Sequence, residues 1–577
     1  MNPTKIQWQP WSKEAFQTAK SLDKPILLDI SATWCHWCHV MDQTTYSDPD
    51  VATLIMKSCV PIKVDKDQRP DIDKRYNMGG WPTTAFLTPN GKIITGGTYI
   101  PPQQMKELIT EVLEYYKTNK QKIEEEAEEP EKKETKAQIH AQTVTEEDFQ
   151  SVIDNITLAI SESFDQTWGG FGFAPKFPNS EALNFALLEY RLQNHRALLN
   201  IVTKTLTKMQ EGGIHDKMEG GFFRYSTTRD WSIPHYEKMC EDNAKLLVNY
   251  VQAYQVNGEE AFKETAQNIL NYIDNNLCDR ANGGFYGSQD ADEEYYKLSR
   301  IERQSKPKPR VDKTLYTNYN AMMISSYLSA SVVSENPAYG RFAVKTANLL
   351  LEKGFKPQEG MCHFITDGKP HLTTFLTDQV HMLKALIDVY QWTQERTFLH
   401  KAESIAGLML GNLWSDRYGF LDRPTKPEDL GMLKDTYSPF DENAVVADAF
   451  LRLYHLTGKE TYREKSTAIL RRLLTLYRDL HLLASSYALA VELHLNPVQV
   501  QIVGSRKDSL TQQFVQQTLG VYNPLRTVEV LDPATDLQRL NILKYPISER
   551  TTTYVCANGR CTLAENATNL AKLVSQV

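Results

Sequence analysis

The sequence predicts a multidomain fold, mixed α/β at its two ends and all-α between them. Three observations carry that prediction. A Cys-x-x-Cys pair, Cys35 and Cys38, follows directly on an apolar run at 25–30. Twelve segments with helical apolar spacing fill the middle of the chain, several of them preceded by a Gly-Gly-Phe phrase. Residues 496–577 alternate short β-branched runs with helical stretches, which reads as a small C-terminal α/β unit.

At 577 residues the chain exceeds one ordinary core. Its 41% hydrophobic and 24% charged content is that of a globular protein, and no run approaches the roughly eighteen apolar residues of a membrane helix. With 64 basic against 72 acidic side chains the net charge is −8, so neither nucleic acid nor a membrane surface is expected as a partner. Among eight cysteines, Cys59, Cys240, Cys278 and Cys362 are scattered singly, which is no disulfide framework. A reducing compartment, the cytoplasm, is the expected location.

The first segment reads in order as helix 12–21, strand 25–30, helices 36–46 and 48–57, strand 60–64, helix 70–77, hairpin 83–95 and helix 102–117. Asp48-Pro49 opens its helix with a capping side chain followed by proline. The octet Trp34-Cys-His-Trp-Cys-His-Val-Met41 allows three readings: redox dithiol, haem anchor or half of a zinc site. Haem attachment needs export, and the opening Met-Asn-Pro-Thr-Lys-Ile-Gln-Trp lacks a signal-peptide core. Zinc needs a second pair, and Cys556 and Cys561 lie over five hundred residues away.

A strand that delivers a dithiol to the first turn of a helix aims unpaired N–H groups at the first sulfur, favouring thiolate. Cys35 is therefore expected to be the exposed attacking thiol and Cys38 the buried resolving one. Asp29, six residues earlier, and Gly80-Trp81-Pro82 before the hairpin complete a pattern that resembles thioredoxins. That resemblance implies a cis Pro82 packed beside the dithiol, Trp81 next to the substrate, and protein thiols or disulfides as partners. A domain kept only as a docking platform is the plainer alternative.

Residues 118–142 lose apolar periodicity in a Lys- and Glu-rich run containing Pro130, and read as a charged linker after a first domain at 1–117. From 143 to 495 the twelve helical segments begin near 145, 180, 197, 236, 259, 317, 337, 375, 396, 441, 459 and 481. The repeat phrases end at Phe171, Phe222, Phe285, Phe364 and Phe420, at intervals of 51, 63, 79 and 56 residues. A solenoid repeats more evenly. A closed ring of six hairpins, an (α/α)6 toroid, tolerates such unequal loops.

Several phrases in this order go further: Cys35-His-Trp-Cys-His-Val-Met41, Gly79-Gly-Trp-Pro82, Gly96-Gly-Thr-Tyr99, Ala174-Pro-Lys-Phe-Pro178, Gly221-Phe-Phe-Arg-Tyr-Ser226, Pro234-His-Tyr-Glu-Lys-Met239 with Asp242-Asn243, and Ser288-Gln-Asp-Ala-Asp292. Together they resemble the YyaL-type family, bacterial relatives of spermatogenesis-associated protein twenty. The resemblance implies a thioredoxin-like domain joined to a toroid akin to glycosidases and N-acylglucosamine 2-epimerases, with no settled reaction. This chain departs from the pattern in a short basic run, Lys306-Pro-Lys-Pro-Arg310, and in Asp441 and Glu442 where small residues are usual.

Toroid loops hold Asp216, Trp231, His235, Glu237, Lys238, Asp242, Asp290, Asp292 and Asp378. Carboxylates among aromatic faces suit a sugar-like ligand. A hydrolase would pair Glu237 with Asp290 across the glycosidic bond, and an epimerase would use His235 with a second base such as His215. Asp242 joins these as a catalytic candidate. Trp81, Trp231, Phe222, Arg224, Asp292 and Asp378 are the substrate-contacting candidates. No metal or cofactor is implied. The plainer reading makes Lys238 and Asp242 an i,i+4 ion pair, Asp290 and Asp292 turn residues and Trp231 core. Three functions stay open: a thiol oxidoreductase with an accessory toroid, a carbohydrate-active enzyme with a thioredoxin module, and a noncatalytic interaction protein. The linker is expected to leave dithiol and toroid pocket as separate sites.

Overall fold

The computed structural model describes residues 5–128, 145–548 and 550–577. The N-terminal domain runs α1 (Lys13–Leu22), β1 (Ile26–Ser31), α2 (His36–Gln43), α3 (Pro49–Ser58), β2 (Val60–Asp65), α4 (Pro70–Tyr76), β3 (Thr83–Leu87), β4 (Ile93–Gly97) and α5 (Pro102–Glu128). Its sheet has the order β2-β1-β3-β4, with β1 parallel to β2 and antiparallel to β3. All six residues of β1 are buried, as expected of a central strand covered by helices on both faces. The peptide bond before Pro82 is cis. This is a thioredoxin-like fold.

One element differs from expectation. Helix α5 continues through 118–128, where a linker was expected, with a break in helical geometry at Asn119. Lys, Glu, Gln and Ala favour helix on backbone and rotamer grounds even without an apolar stripe. The remainder of the expected linker, 129–142, lies outside the described residues.

The middle of the chain supplies twelve long helices: α6 (Glu146–Ser163), α7 (Ser180–Gln193), α8 (Arg196–Glu211), α9 (Cys240–Asn257), α10 (Glu260–Asn276), then, after the short α11 (Glu293–Lys297) and α12 (Arg300–Gln304), α13 (Thr317–Val333), α14 (Pro337–Gly354), α15 (Leu376–Thr393), α16 (Arg396–Asn412), α17 (Phe440–Thr457), α18 (Glu460–Leu473) and α19 (Ser485–Leu495). Helices α7, α9, α13, α15, α17 and α19 form an inner ring in which each meets the next and α19 returns to α7. The others pack outside. The expected toroid is therefore closed. Helix α13 buries residues on every side, which fits a helix walled in by neighbours rather than facing water.

A repeated device fixes the loops that lead into four inner helices. The fourth residue of each helix, Asn243, Asn320, Gln379 or Asn443, grips one loop residue through a side-chain amide. The N–H of Phe222, Phe285, Met361 and Phe420 donates to the amide oxygen at 2.8, 2.7, 2.8 and 2.9 Å. The amide N–H returns a bond to the carbonyl of the same loop residue at 2.9–3.0 Å. It also caps the carbonyl four residues back, at Met239, Tyr316, Phe375 and Pro439. Each clamp thus satisfies backbone groups that would otherwise be buried unpaired.

The C-terminal unit has strands Val498–Val503, Arg526–Leu531, Thr552–Ala557 and Arg560–Ala564, with α20 (Ser509–Gly520), α21 (Leu537–Leu543) and α22 (Ala567–Gln576). The fourth strand was not foreseen. The first two strands are parallel, the third is antiparallel to the first, and the fourth pairs with the third. Order, directions and helix positions repeat those of the N-terminal domain. Directly opposed in the last hairpin, Cys556 and Cys561 form a disulfide, as do Cys35 and Cys38, while Cys59, Cys240, Cys278 and Cys362, which the sequence scatters singly, are free.

The two α/β units cover opposite ends of the ring. The thioredoxin-like domain sits where the inner helices begin: Arg75 makes a double contact with Asp422 (2.7 and 3.1 Å), Lys74 pairs with Glu442, and the Tyr76 hydroxyl accepts from Met432 N–H. The C-terminal unit sits where they end, with Val528 and Val530 N–H groups donating to Gln391 and Gln394, and Gln255 donating to Gly520. No helix among the described residues is long and apolar enough to cross a membrane.

Candidate functional site

Cys35 is the N-cap of α2, and its sulfur accepts the Cys38 N–H at 3.2 Å. Behind it, Asp29 is almost wholly buried against Lys63 at 3.0 Å. Burial pushes its carboxyl up to about 6 despite that ammonium. Both cysteines are covered: Cys35 is 3% and Cys38 2% exposed. The expected exposed attacking thiol is therefore absent from this conformation. The physical reason is the toroid. Met239, the residue before α9, joins Ala32, Trp34 and Trp81 in the apolar cluster around the pair. The Arg224 guanidinium lies 4.7 Å from the Trp34 ring and 5.1 Å from the Trp81 ring, a cation over two aromatic faces.

The loop after β2 completes the seal. Asp67 accepts the Trp34 indole N–H at 2.6 Å and the Tyr319 hydroxyl of α13 at 2.7 Å. Its backbone carbonyl meets His363 Nε2 at 2.6 Å, and Asp378, fully buried, holds the other ring nitrogen at 2.9 Å. One carboxylate thus ties the dithiol side to the toroid. Dithiol domain and toroid are in direct contact, a placement the sequence did not fix.

Besides Arg224, four more of the candidates read from the toroid sequence lie on this side of the ring. His235 Nδ1 stands 3.6 Å from Glu237, whose Oε2 is buried without a hydrogen-bond partner among the described residues. Burial alone would push the Glu237 carboxyl up, but His235 and Arg224 hold it below its ordinary value. Asp290 Oδ1 stands 3.7 Å from His39 Nδ1 of α2 and is also buried without a hydrogen-bond partner among the described residues. Burial pushes its carboxyl up to about 6. Asp242, in the first turn of α9, is pushed up to about 7 by burial and neighbouring Glu241.

The remaining candidates have structural positions. Trp231 is fully buried and Phe222 stacks on His215 and Tyr250 in the core. Asp292 caps α11 by accepting from Tyr295 N–H, and Asp378 serves His363. Lys238 pairs with Asp216 at 2.7 Å, not with Asp242, because it precedes the helix in an extended segment and reaches back to the Gly-Gly-Phe turn. Sequence reasoning missed His39, Asp67 and Met239. Only His39 had a local signal, one turn after Cys35.

A separate cavity of about 380 Å³ follows the ring axis, from Glu181, Lys245 and His381 down to Tyr522 and Arg526 of the C-terminal unit. None of the candidates named from the sequence lines it.

Fold and site together define a class: a thioredoxin-like dithiol domain docked on an (α/α)6 toroid. Residues 1–133 match the family described as Thioredox_DsbH, a protein of unknown function, DUF255. The chain is 26% identical to spermatogenesis-associated protein 20 of Homo sapiens over 97% of its own length and 88% of that protein. It is 26% identical to the uncharacterized protein B0495.5 of Caenorhabditis elegans over 81% of this chain and 80% of that one. The resemblance read from the motifs thus extends along nearly the whole chain. Among solved structures, a crystal structure of D-mannose isomerase aligns with 57% of this chain and 87% of its own at a TM-score of 0.46 and 16% identity, a likeness too distant to speak to chemistry.

Proposed function

We propose that the chain is a thiol–disulfide oxidoreductase whose dithiol acts on a small disulfide taken up between the thioredoxin-like domain and the toroid. The observation that carries this reading is Cys35 at the N-cap of α2, enclosed by Met239 and flanked by Arg224 from the toroid. A protein disulfide reaches the sulfur only if the two domains part. The reduced pair attacks through Cys35 thiolate, the substrate S–S bond breaks, and Cys38 resolves the mixed disulfide. A cellular thiol regenerates the dithiol, which fits a reducing compartment such as the cytoplasm.

A sugar-directed role for the toroid has less support, since Trp231, Phe222, Asp292 and Asp378 are engaged in packing, capping or pairing. The test is reduction of hydroxyethyl disulfide with a thiol donor, compared with insulin. The small disulfide is expected to turn over faster, and Cys35→Ser to abolish both. Equal rates on both substrates, or activity surviving Cys35→Ser, would count against the reading.

A further inference from the structure

His39 lies one helical turn beyond Cys35, with its backbone N–H donating to the Cys35 carbonyl at 3.2 Å. Its ring has two neighbours. Nε2 meets the Thr33 carbonyl at 3.1 Å, in the loop that leads into the dithiol, and can only donate there. Nδ1 faces Asp290 Oδ1 from the toroid at 3.7 Å. With Nε2 carrying a proton, a neutral ring turns its lone pair toward that carboxylate, so the contact is favourable only when a further proton resides on one of the two groups. The rest of the surroundings agrees. Asp290 Oδ1 has no hydrogen-bond donor among the described residues, and Glu237, itself with an orphan buried oxygen, stands near enough to repel a second negative charge. Arg310 offers charge from the adjoining loop, and its carbonyl accepts the Asp290 N–H at 2.8 Å, while His235 and Arg224 act on Glu237.

We propose that Asp290 of the toroid and His39 of the dithiol helix hold between them the proton that disulfide reduction passes from thiol to leaving group. The inference rests on the oxidoreductase reading and deepens it. The reduced dithiol first gives a proton to the pair as Cys35 becomes thiolate. Cys35 attacks the substrate disulfide, the S–S bond breaks, and the departing thiolate takes its electron pair and then that proton. Cys38 then loses its proton to the pair and attacks the Cys35 sulfur, and the second leaving thiolate is protonated in turn. The two protons and two electrons of the dithiol end on two substrate thiols, the enzyme ends as the Cys35–Cys38 disulfide, and two molecules of an external monothiol restore it, leaving as their own disulfide. Asp290 is thus a positioning residue that reaches the reaction through His39.

Leaving-group acidity separates this role from a merely structural one. An alkyl thiolate, with a pKa near that of cysteine at about 8.5, needs a proton as it departs. The thiolate released from bis(nitrocarboxyphenyl) disulfide is acidic enough to leave without one. In the full-length reduced protein at neutral pH, Asp290→Asn is expected to slow single-turnover reduction of hydroxyethyl disulfide by at least about tenfold, the low end below usual acid–base contributions. Reduction of the aromatic disulfide is expected to stay within about twofold, and Asp290→Glu to restore most of the alkyl rate. Equal slowing of both disulfides, or of neither, would overturn the proposal while leaving the oxidoreductase reading intact. Failure of the wild-type protein to reduce either would overturn both.

Discussion

Asp67 shows how much one residue can decide. Its carboxylate accepts from Trp34 beside the dithiol, from Tyr319 of the toroid, and from Lys66 at 2.9 Å. A buried hydrogen bond to a charged group contributes about 1.5–3 kcal/mol. Tyr319→Phe removes one such bond without opening a large void, and is expected to weaken docking by about that amount. The measurement is alkylation of the reduced protein by iodoacetamide. Cys35 should label several-fold faster in Tyr319→Phe than in wild type, and unchanged labelling would mean that the seal depends on packing at Met239 instead.

At the scale of elements, the ring closes where α19 meets α7, and a carboxylate pair lies in that seam. Glu189 of α7 and Glu492 of α19 are buried, and burial with the mutual repulsion pushes the Glu189 carboxyl up to about 9. Burial and repulsion therefore favour a protonated carboxyl in this pair in the folded state. Because the folded pKa lies above the ordinary carboxylate value, the stabilisation is fully present below about pH 4.5 and fades as pH rises toward 9. Glu189→Gln stays neutral throughout. Its melting temperature relative to wild type should rise between pH 6 and pH 9, and parallel pH profiles would refute the protonated carboxyl.

These elements were largely legible in advance, because most of the helices advertise a buried face through residues three and four apart. The beginning of α13 near 317 and of α17 near 441 fell where the apolar spacing put them. The extension of α5 and the strand Arg560–Ala564 were not legible, since neither has an apolar pattern: one is held by intrinsic helix preference and the other by pairing across Asn558-Gly559. The contact of His39 with Asp290 was beyond reach for another reason. It joins residues some 250 positions apart across two domains, and each looks locally like an ordinary surface or turn residue.

For the molecule as a whole, the ring is covered at both ends by units of the same topology, of which only the first carries its cysteine pair at the start of the helix after its first strand; the second has Cys556 and Cys561 bridged in its last hairpin. In the second, Asp508 stands at the N-cap corresponding to Cys35 and accepts from Thr511 N–H, and the Thr551 hydroxyl reaches both residues. The first unit is held by Arg75 on Asp422, with both side chains about 95% buried, and by Lys74 on Glu442. Removing one partner of a buried pair leaves an uncompensated charge and costs about 3–5 kcal/mol. Arg75→Met is therefore expected to loosen the domain and to raise insulin reduction, since a protein disulfide could then approach Cys35. No gain with insulin, despite faster alkylation of Cys35, would show that access alone does not make a protein substrate.

The amide clamps have a consequence for how such a chain can change over time. Each grips a loop by the backbone of one residue, so the clamp itself makes no demand on the length or composition of the rest. Insertions between the clamp points can accumulate without disturbing the ring, and loops from a relative could be transplanted as cassettes between the same anchor residues. The scaffold behaves as a socket, so new specificities can be tried at the mouth while the twelve helices stay as they are.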